Sequence, residues 1–359
     1  MARWGSSGSA RCGVSEARAA REAGAMNSVA ILGAGAWGTA LAVHLARGRA
    51  HPDVRLWARD GLQARELERL RENARYLPGV ALPPGVSVSA RLDDAVAGAD
   101  LIAIATPIAA LLEVVAAARP FASVPLVWLC KGFVTSGTPP NVALAHRLVA
   151  PLWPSPVGIV SGPSFAEEVA RGLPTALSVA ATDGSVAEAV ARRLRAGALR
   201  AYVTDDLTGV ETAGAVKNVL AIAAGASDGL GFGHNARAAL ITRGLAETGR
   251  LAEALGGRRE TLMGLAALGD LVLTCTGDLS RNRRVGLALA AGSALPKILA
   301  ELGHVAEGVP AARDVHTLSA SLGVEMPICE VVYRVLYESL SPRHAVEALL
   351  AREPGPEFH

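Results

Sequence analysis

The segment VAILGAGAWGTALAVHLA, residues 29–46, indicates the fold of the N-terminal half. A short apolar run is followed by Gly33, Gly35 and Gly38 in a G-x-G-x-x-G pattern, which opens an Ala- and Leu-rich stretch. A strand, a glycine turn and a helix in this order are typical of a dinucleotide-binding unit. Gly33 permits the tight turn, Gly35 lets the backbone approach a pyrophosphate, and Gly38 brings the helix close to the sheet. The alternative interpretation is a glycine-rich turn without a ligand.

Further short apolar runs follow this unit, separated by segments with helical patterning. They predict strands at residues 54–57, 101–105, 126–130, 157–160 and 176–179, with 202–203 as one more. Strands that alternate with helices indicate a parallel sheet covered by helices on both faces. After Asp205 we find no strand pattern, and long Ala- and Leu-rich helical segments run to about Arg352.

The predicted fold is therefore an α/β Rossmann-type N-terminal domain with a mostly parallel sheet, followed by an all-α C-terminal domain. We assign residues 26–205 to the dinucleotide-binding domain and residues 206–352 to a helical substrate and catalytic domain. Residues 1–25 are rich in Arg, Ala, Ser and Gly and lack the apolar stretch of a signal peptide. We therefore interpret them as a disordered extension. Residues 353–359 contain two prolines and are interpreted as a loose tail.

Composition and charge exclude several function classes. A net charge of +2 over 359 residues gives no general signal for nucleic acid or membrane surfaces. The longest apolar run, residues 101–112, is too short to cross a bilayer, so we expect no membrane insertion. The four cysteines form no C-x-x-C pair, which favours reduced thiols in a cytoplasmic protein over a disulfide framework. We predict no metal site.

The end of the second predicted strand, LWARD, bears on cofactor choice. NAD enzymes usually carry an acidic residue here for the adenosine ribose. Arg59 could instead bind a 2′-phosphate through charge-assisted hydrogen bonds. We therefore favour NADPH, with NADH bound through Asp60 as the other option. The alternative is that Arg59 is a solvated turn residue.

Two ionisable residues lie in apolar helical segments: Lys217 in VKNVLAIAAG and Asp270 in GLAALGDLVLTCT. Unpaired buried charges cost several kcal/mol, so we predict that these two groups meet, directly or through a ligand. Thr274 lies four residues after Asp270 and therefore on the same helical face. A structural salt bridge without a catalytic role is the alternative.

Two loops follow predicted strands, at the sheet edge where ligands of open parallel sheets bind. One begins with Lys131, which can reach an anionic or carbonyl group, although a lysine taken alone is more often an ordinary surface residue. The other is SGPSFAEE, residues 161–168, whose hydroxyl groups suit the lining of a pocket. The same stretch also fits a helix start, with Ser164 as the cap and Glu167 in the capping-box position.

The cluster Ser280-Arg281-Asn282-Arg283-Arg284 combines positive charge with hydrogen-bonding groups. The guanidinium fork matches phosphate oxygens, and Ser and Asn side chains add hydrogen bonds. A nucleic-acid patch is the alternative. Because the cluster has no interleaved aromatic residues, we favour a small phosphate substrate and no nucleic-acid partner.

The chain resembles NAD(P)-dependent sn-glycerol-3-phosphate dehydrogenase of the bacterial type. The matching stretches run in order from about residue 29 to residue 308: GAGAWGTALA, NARYLPG, KGF, SGPSFAEEVARGLPTALSVA, GVETAGAVKNVLAIAAGASDGLGFGHNARAALITRGLAE, GLAALGDLVLTCT, SRNRR and VAEG. The resemblance implies reversible reduction of dihydroxyacetone phosphate to sn-glycerol 3-phosphate with NADPH or NADH, in supply of phospholipid synthesis. We also expect a homodimer. The alternatives are a related two-domain hydroxy-acid dehydrogenase and a non-catalytic dinucleotide sensor.

The resemblance also implies residue roles. The catalytic set would be Lys217 as general acid and base, with Asp270, Thr274 and Lys131. Substrate contacts would be Lys131, Gly162, Ser164, Lys217, Asp270, Ser280, Arg281 and Asn282. Cofactor contacts would be Gly33, Gly35, Ala36, Trp37, Gly38, Arg59, Lys131, Ala166, Arg281, Val305 and Glu307. We expect apolar surroundings to lower the pKa of Lys217 and the Asp270 carboxylate to oppose that shift.

Overall fold

The computed structural model describes residues 26–48, 53–137, 141–303 and 305–351. The predicted extension at residues 1–25 and the predicted tail at residues 353–359 lie outside these ranges. Within them the strands are β1 (Ser28–Leu32), β2 (Asp53–Trp57), β3 (Glu72–Asn73), β4 (Leu77–Ala81), β5 (Val86–Ser89), β6 (Leu101–Ile104), β7 (Leu126–Trp128), β8 (Val134–Ser136), β9 (Asn141–Ala143), β10 (Val157–Ser161), β11 (Thr175–Ala181) and β12 (Leu199–Val203).

The α-helices of the described residues alternate with these strands and then continue alone. They are α1 (Ala36–Arg47), α2 (Gly61–Leu70), α3 (Leu92–Val96), α4 (Leu111–Ala118), α5 (Ala145–Val149), α6 (Ala166–Arg171), α7 (Gly184–Leu194), α8 (Leu207–Gly229), α9 (Gly233–Ala254), α10 (Asp270–Thr276), α11 (Arg281–Ala290), α12 (Leu295–Leu302), α13 (Gly308–Leu322), α14 (Pro327–Tyr337) and α15 (Pro342–Leu350). Short helical turns occupy Ile108–Ala110, Arg259–Met263 and Leu265–Gly269.

The main sheet contains eight strands in the order β12-β11-β10-β7-β6-β1-β2-β5. All neighbouring pairs are parallel except β10 and β11, which are antiparallel. The predicted fold class, a mostly parallel Rossmann-type sheet followed by helices, is therefore confirmed. Strand β5, with the sequence VSVS, was not predicted because its alternating serines make it too polar to read as a buried run.

Helices cover both faces of the sheet, as predicted. Successive side chains of a strand point to opposite faces. Ile31 belongs to the same buried cluster as Leu41 of α1 and Val190 of α7. Leu32 belongs to a second cluster on the other face, with Val115 of α4. The carboxyl end of β1 and the start of α1 are thus fixed by cores on both sides.

Helix α8 is the centre of the C-terminal half. Most of its residues are buried on every face, a pattern that is typical of a helix enclosed by others. Helices α9, α10, α11, α13 and α14 pack around it. The boundary assigned near residue 205 falls between β12 and α8, and no strand follows in the described residues after Val203. Among the described residues, no helix combines the length and apolar character needed to span a membrane.

The predicted helix cap at Ser164 is wrong. Helix α6 begins at Ala166, and its N-cap is Phe165, which has no side-chain acceptor. The Ser164 hydroxyl instead donates to the carbonyl oxygen of Gly162 at 2.9 Å. The chain is extended at Phe165, so the helix begins one residue later than a cap at Ser164 would place it, and Glu167 falls in its first turn.

Candidate active site

The turn between β1 and α1 is built for close approach. Gly33 has φ = +122°, and a Cβ there would lie 2.9 Å from the carbonyl carbon of Ala105. A Cβ on Gly38 would lie 1.9 Å from the carbonyl oxygen of Gly33. At Gly35, by contrast, no described atom lies within 4 Å of the Cβ position. The turn therefore packs tightly against the protein on two sides and is open on the third.

The open side coincides with the N-terminus of α1. Its N-cap is Gly35, so no side chain accepts hydrogen bonds from the N–H groups of the first turn, which begins at Ala36. Free N–H groups at a helix N-terminus bind anions such as a pyrophosphate. These residues fit a dinucleotide, with the tight turn at Gly33 and the open backbone at Gly35 in the places that the motif requires.

Other candidate cofactor residues surround this turn. The indole Nε1 of Trp37 donates to the carbonyl oxygen of Ser164 at 3.0 Å, which joins α1 to the loop after β10. Arg59 is exposed just after β2, and the Asp60 carboxylate accepts from the backbone N–H of Leu62 as the cap of α2. Ala166 is the first residue of α6. 

The predicted meeting of Lys217 and Asp270 occurs by direct contact. The Lys217 Nζ lies 2.7 Å from Asp270 Oδ1 and donates to Thr274 Oγ1 at 2.9 Å. Lys217 lies in the middle of α8, whereas Asp270 and Thr274 lie one turn apart on α10. The Thr274 hydroxyl donates in turn to the carbonyl oxygen of Asp270 at 2.5 Å. All three side chains are buried.

A second lysine binds the same carboxylate. The Lys131 Nζ lies 2.5 Å from Asp270 Oδ2 and donates to the carbonyl oxygen of Gly162 at 3.4 Å. This ion pair was not predicted. Lys131 follows β7 and Asp270 begins α10, so only the folded arrangement of the two halves brings them together. Asp270 thus bridges two ammonium groups, and Gly162, at φ = +145°, turns the loop toward them.

Charge and burial set the protonation of this centre. Burial lowers the pKa of Lys217 to about 8; the Asp270 carboxylate opposes this shift and the Lys131 charge adds to it. The lowering that the apolar surroundings predict is confirmed, and it outweighs the carboxylate. Burial works against ionisation of Asp270, but the two lysines outweigh it and hold the pKa of this carboxyl below its usual value.

The segment Ser280–Asn282 lies beside α8. Ser280 caps α11, with its hydroxyl oxygen accepting from the N–H of Arg283 at 3.2 Å. The Asn282 side chain donates to Asn218 Oδ1 at 2.9 Å and accepts from the N–H of Gly308 at 3.0 Å. Arg281 is exposed at the first position of α11. The candidate phosphate-binding residues are therefore attached to α8 at Asn218, one residue away from Lys217.

Glu307 and Val305 lie in the segment before α13. Burial raises the pKa of Glu307, and the nearby charge of Arg281 offsets part of this rise. The Glu307 Oε1 accepts a long hydrogen bond, 3.4 Å, from the N–H of Ile108. Val305 is half exposed and is not among the buried residues of the site. Glu307 thus connects the Arg281 segment with the loop after β6.

Sequence reasoning missed Asn218. Like its neighbour Lys217, it is a polar residue buried in an almost wholly apolar helix, and it holds Asn282 in place. That shared setting was a usable signal, because a buried amide needs hydrogen-bond partners as a buried charge does. The structure shows no group of three or more His, Cys, Asp or Glu side chains that could hold a metal among the residues that it describes.

Comparisons with known proteins identify the family. The protein-family model for the N-terminus of NAD-dependent glycerol-3-phosphate dehydrogenase matches residues 28–187. The family model for the C-terminus matches residues 206–347. A curated glycerol-3-phosphate dehydrogenase (NAD(P)+) of Dechloromonas aromatica is 54% identical over 333 residues, which are 92% of this chain and 99% of the relative. The crystal structure of glycerol-3-phosphate dehydrogenase from Coxiella burnetii superposes with a TM-score of 0.86 at 44% identity, covering 91% of this chain and 99% of that one. The chain belongs to the NAD-dependent glycerol-3-phosphate dehydrogenase family.

Proposed function

We propose that this chain catalyses the reversible NAD(P)H-dependent reduction of dihydroxyacetone phosphate to sn-glycerol 3-phosphate. The observation that carries the proposal is a chain of contacts between the two candidate binding regions. On one side, Trp37 bonds to Ser164, which turns back onto Gly162. Gly162 is joined through Lys131 and Asp270 to Lys217. On the other side, the residue next to Lys217 holds Asn282. The proposed acid–base centre thus has the proposed dinucleotide turn on one side and the proposed phosphate-binding segment on the other.

Lys217 is the proposed proton donor for the substrate carbonyl oxygen and the acceptor in the reverse direction. When bound, the nicotinamide cofactor supplies or accepts the hydride. Negative charge develops on the carbonyl oxygen during reduction, so a nearby acid lowers the barrier. A free lysine has a pKa of about 10.4, too high for efficient exchange near neutrality. The buried Lys217, with a pKa of about 8, can exchange its proton close to physiological pH.

Asp270 and Thr274 orient this ammonium group. Oδ1 of Asp270 and Oγ1 of Thr274 fix two of the three Lys217 donors, so the third is available for a substrate oxygen. Lys131 fixes the other oxygen of the Asp270 carboxylate and adds positive charge where an anionic substrate would bind. We therefore propose Lys131, Lys217, Asp270 and Thr274 as the catalytic set, with Gly162 and Ser164 lining the substrate side.

The segment Ser280–Asn282 is the proposed phosphate anchor. The exposed Arg281 guanidinium offers paired donors for phosphate oxygens. The Ser280 oxygen already accepts a hydrogen bond, which leaves its own proton free to donate. Anchoring the phosphate holds the carbonyl at a fixed place relative to Lys217, and such fixed geometry makes proton and hydride transfer effectively intramolecular.

The proposed cofactor residues are those of the β1–α1 turn, with Trp37, Ala166 and Lys131 beside it. Arg281, Val305 and Glu307 would approach from the helical half. Arg59, exposed after β2, is the proposed contact for the 2′-phosphate, which favours NADPH over NADH. The domain assignment at residues 26–205 and 206–352 is kept as part of this proposal, because it places the cofactor and the substrate anchor on different halves.

The cellular setting is also a proposal. The described cysteines Cys130, Cys275 and Cys329 are buried and free, which supports a cytoplasmic protein. The family suggests a homodimer and a role in supplying phospholipid synthesis. Light scattering on the purified chain would measure the oligomeric state, and a monomeric mass would contradict the homodimer.

The activity is tested by supplying dihydroxyacetone phosphate with NADPH or NADH and following oxidation of the cofactor. We expect turnover with both and a higher kcat/KM for NADPH. A panel of 2-keto acids serves as the comparison, because the alternative function is a two-domain hydroxy-acid dehydrogenase. No oxidation of either cofactor with dihydroxyacetone phosphate would refute the proposed function, and preference for a keto acid would support the alternative.

A further inference from the structure

We propose that Asp228 and Arg283 are positioning residues that hold the phosphate-binding segment Ser280–Asn282 at a fixed distance from Lys217. The inference rests on the proposed function and assigns a task to residues outside the proposed site. Asp228 lies near the end of α8, the helix that carries Lys217. Arg283 lies in α11, directly after the segment that it would position.

The Asp228 carboxylate lies between two guanidinium groups. Its Oδ2 accepts from Arg283 Nη2 at 2.7 Å and from Arg283 Nε at 3.1 Å. The same oxygen accepts from Nη1 of Arg237, at the start of α9, at 2.9 Å. The Asp228 and Arg283 side chains are each only 12% exposed. Charge-assisted hydrogen bonds in such surroundings are stronger and less screened by solvent than those of surface pairs.

The two helices touch backbone to backbone at the same place. A Cβ on Gly225 of α8 would lie 2.0 Å from the carbonyl oxygen of Arg283. A Cβ on Gly286 of α11 would lie 2.0 Å from the carbonyl oxygen of Ile222. Close packing of this kind leaves no soft side chain between the helices to absorb a shift. A displacement of α11 would therefore be transmitted to the residues at its start.

A second contact fixes the other end of this interface. Asn282 bonds to Asn218, the residue after Lys217, whereas Asp228 lies ten residues further along α8, about 15 Å at 1.5 Å per residue. On α11 the two attachments come from consecutive residues, so together they fix the N-terminal end of this helix, where the phosphate-binding segment lies, at two separated points of α8.

The same contacts give the arginines of the SRNRR cluster different roles. Arg283 is engaged by Asp228 and, through Nη1, by the exposed Asp278 at 2.9 Å. All three nitrogens of its guanidinium group are therefore engaged within the protein. Arg281 is exposed at the helix start and remains suited to the phosphate. Arg284 is exposed as well and lies one residue beyond Arg283. We assign phosphate binding to Arg281, positioning to Arg283, and neither task to Arg284.

The test compares steady-state kinetics of Arg283→Gln and Asp228→Asn with two matched controls. Arg284→Gln removes the same charge from the same helix, and Asp278→Asn removes the exposed partner of Arg283. We expect KM for dihydroxyacetone phosphate to rise at least about tenfold in Arg283→Gln and Asp228→Asn, since misplacing an anchor weakens the productive complex. In both controls KM for dihydroxyacetone phosphate should stay within about twofold of the wild type.

KM is the diagnostic quantity because it does not depend on how much of the preparation is folded. A merely structural role would lower the melting temperature and the yield of active enzyme and leave KM unchanged. Arg283→Lys, which keeps the charge but not the fork, should give an intermediate KM. If Arg283→Gln does not fold, Asp228→Asn and Arg283→Lys carry the same comparison.

Two results would overturn the inference: an unchanged KM for dihydroxyacetone phosphate in Asp228→Asn and in the Arg283 variants, or an equal rise in Arg284→Gln. Wild-type turnover separates this outcome from failure of the proposed function. If the wild type does not reduce dihydroxyacetone phosphate, both the proposed function and the inference that rests on it are wrong. If the wild type is active and KM does not move, the inference alone is wrong.

Discussion

The ammonium group of Lys217 lies 2.7 Å from Oδ1 of Asp270, in the buried interface between α8 and α10. Burial nevertheless dominates the carboxylate, and the pKa of Lys217 falls to about 8. In this setting Lys217 is both held in place and close to losing its proton. Its pH behaviour follows directly from that balance.

The two reaction directions should have opposite pH dependence. Reduction needs the ammonium form as a proton donor, so kcat/KM for dihydroxyacetone phosphate should fall as pH rises through about 8. Oxidation of sn-glycerol 3-phosphate needs the free amine, so its kcat/KM should rise over the same range. Initial rates from pH 6 to pH 10 test this, at about half-unit steps. Parallel profiles in both directions would argue against Lys217 as the proton carrier.

Removing Lys131 should move that transition upward. The charge of Lys131 contributes to the lowered pKa of Lys217, so Lys131→Met should raise this pKa above about 8. The rate will also fall, because Lys131 is a proposed substrate contact. The measurement is therefore the pH of the transition in the residual activity, not the rate itself. A transition that stays in place or shifts to lower pH would contradict the arrangement of two lysines around Asp270.

The glycine turn gives a matched pair of variants with opposite consequences. Gly35 has ordinary extended backbone angles and no described atom near its Cβ position, so Gly35→Val should fold normally. Its side chain would occupy the space proposed for the pyrophosphate, and NADPH binding should weaken at least about tenfold. Gly38→Val would collide with the carbonyl oxygen of Gly33 and should lower the unfolding free energy by about 2 kcal/mol or more.

Denaturant unfolding and cofactor titration separate these two effects. Fluorescence titration with NADPH measures binding, and urea denaturation measures stability. Gly35→Val that binds NADPH as tightly as the wild type would contradict the placement of the pyrophosphate at this turn. Gly38→Val of unchanged stability would contradict the close packing of α1 on the sheet.

Glu247 should make stability depend on pH. It is buried on α9, accepts from the N–H groups of Ile328 and Cys329, and burial raises its pKa to about 7. The folded protein therefore binds this proton more tightly than the unfolded chain does. As a result, the unfolding free energy should fall as pH rises from about 4.5 to about 7, by at most about 3 kcal/mol.

Urea denaturation at several pH values in this window measures the slope. Glu247→Gln cannot ionise, so the fall between the acidic and neutral ends should be smaller than in the wild type. Glu253→Gln, an exposed change on the same helix, is the control and should keep the wild-type slope. Equal slopes in the wild type and Glu247→Gln would show that Glu247 does not hold the proton.

The sequence predicts features that follow from the residue types a turn requires or from the free-energy cost of burying a charge. The G-x-G-x-x-G turn could be placed because tight turns and helix N-termini need particular residues at particular spacing. The contact between Lys217 and Asp270 could be predicted without knowing the packing, because a charge buried in an apolar helix is strongly destabilising unless an opposite charge pairs with it. Both predictions came from the physical cost of placing a residue where it stands.

The features that the sequence did not predict depend on tertiary packing or on competing hydrogen bonds. Lys131 reaches Asp270 only because the loop after β7 meets α10, and no local pattern records that approach. Ser164 is a plausible cap by residue type, but its hydroxyl donates to the carbonyl oxygen of Gly162 and the helix begins only at Ala166. Arg283 carries no mark that distinguishes it from Arg281 until Asp228 is placed beside it.

Lys217 is the proposed carrier of the substrate proton. The most direct measurement is the rate of NADPH oxidation with dihydroxyacetone phosphate by the wild type and by Lys217→Ala, together with NADPH affinity in both. We predict that kcat of Lys217→Ala falls by a factor of about 10²–10⁴, the range that general acid–base catalysis contributes. Its Kd for NADPH should stay within about threefold of the wild-type value. A Lys217→Ala enzyme that keeps the wild-type kcat would contradict proton transfer by Lys217.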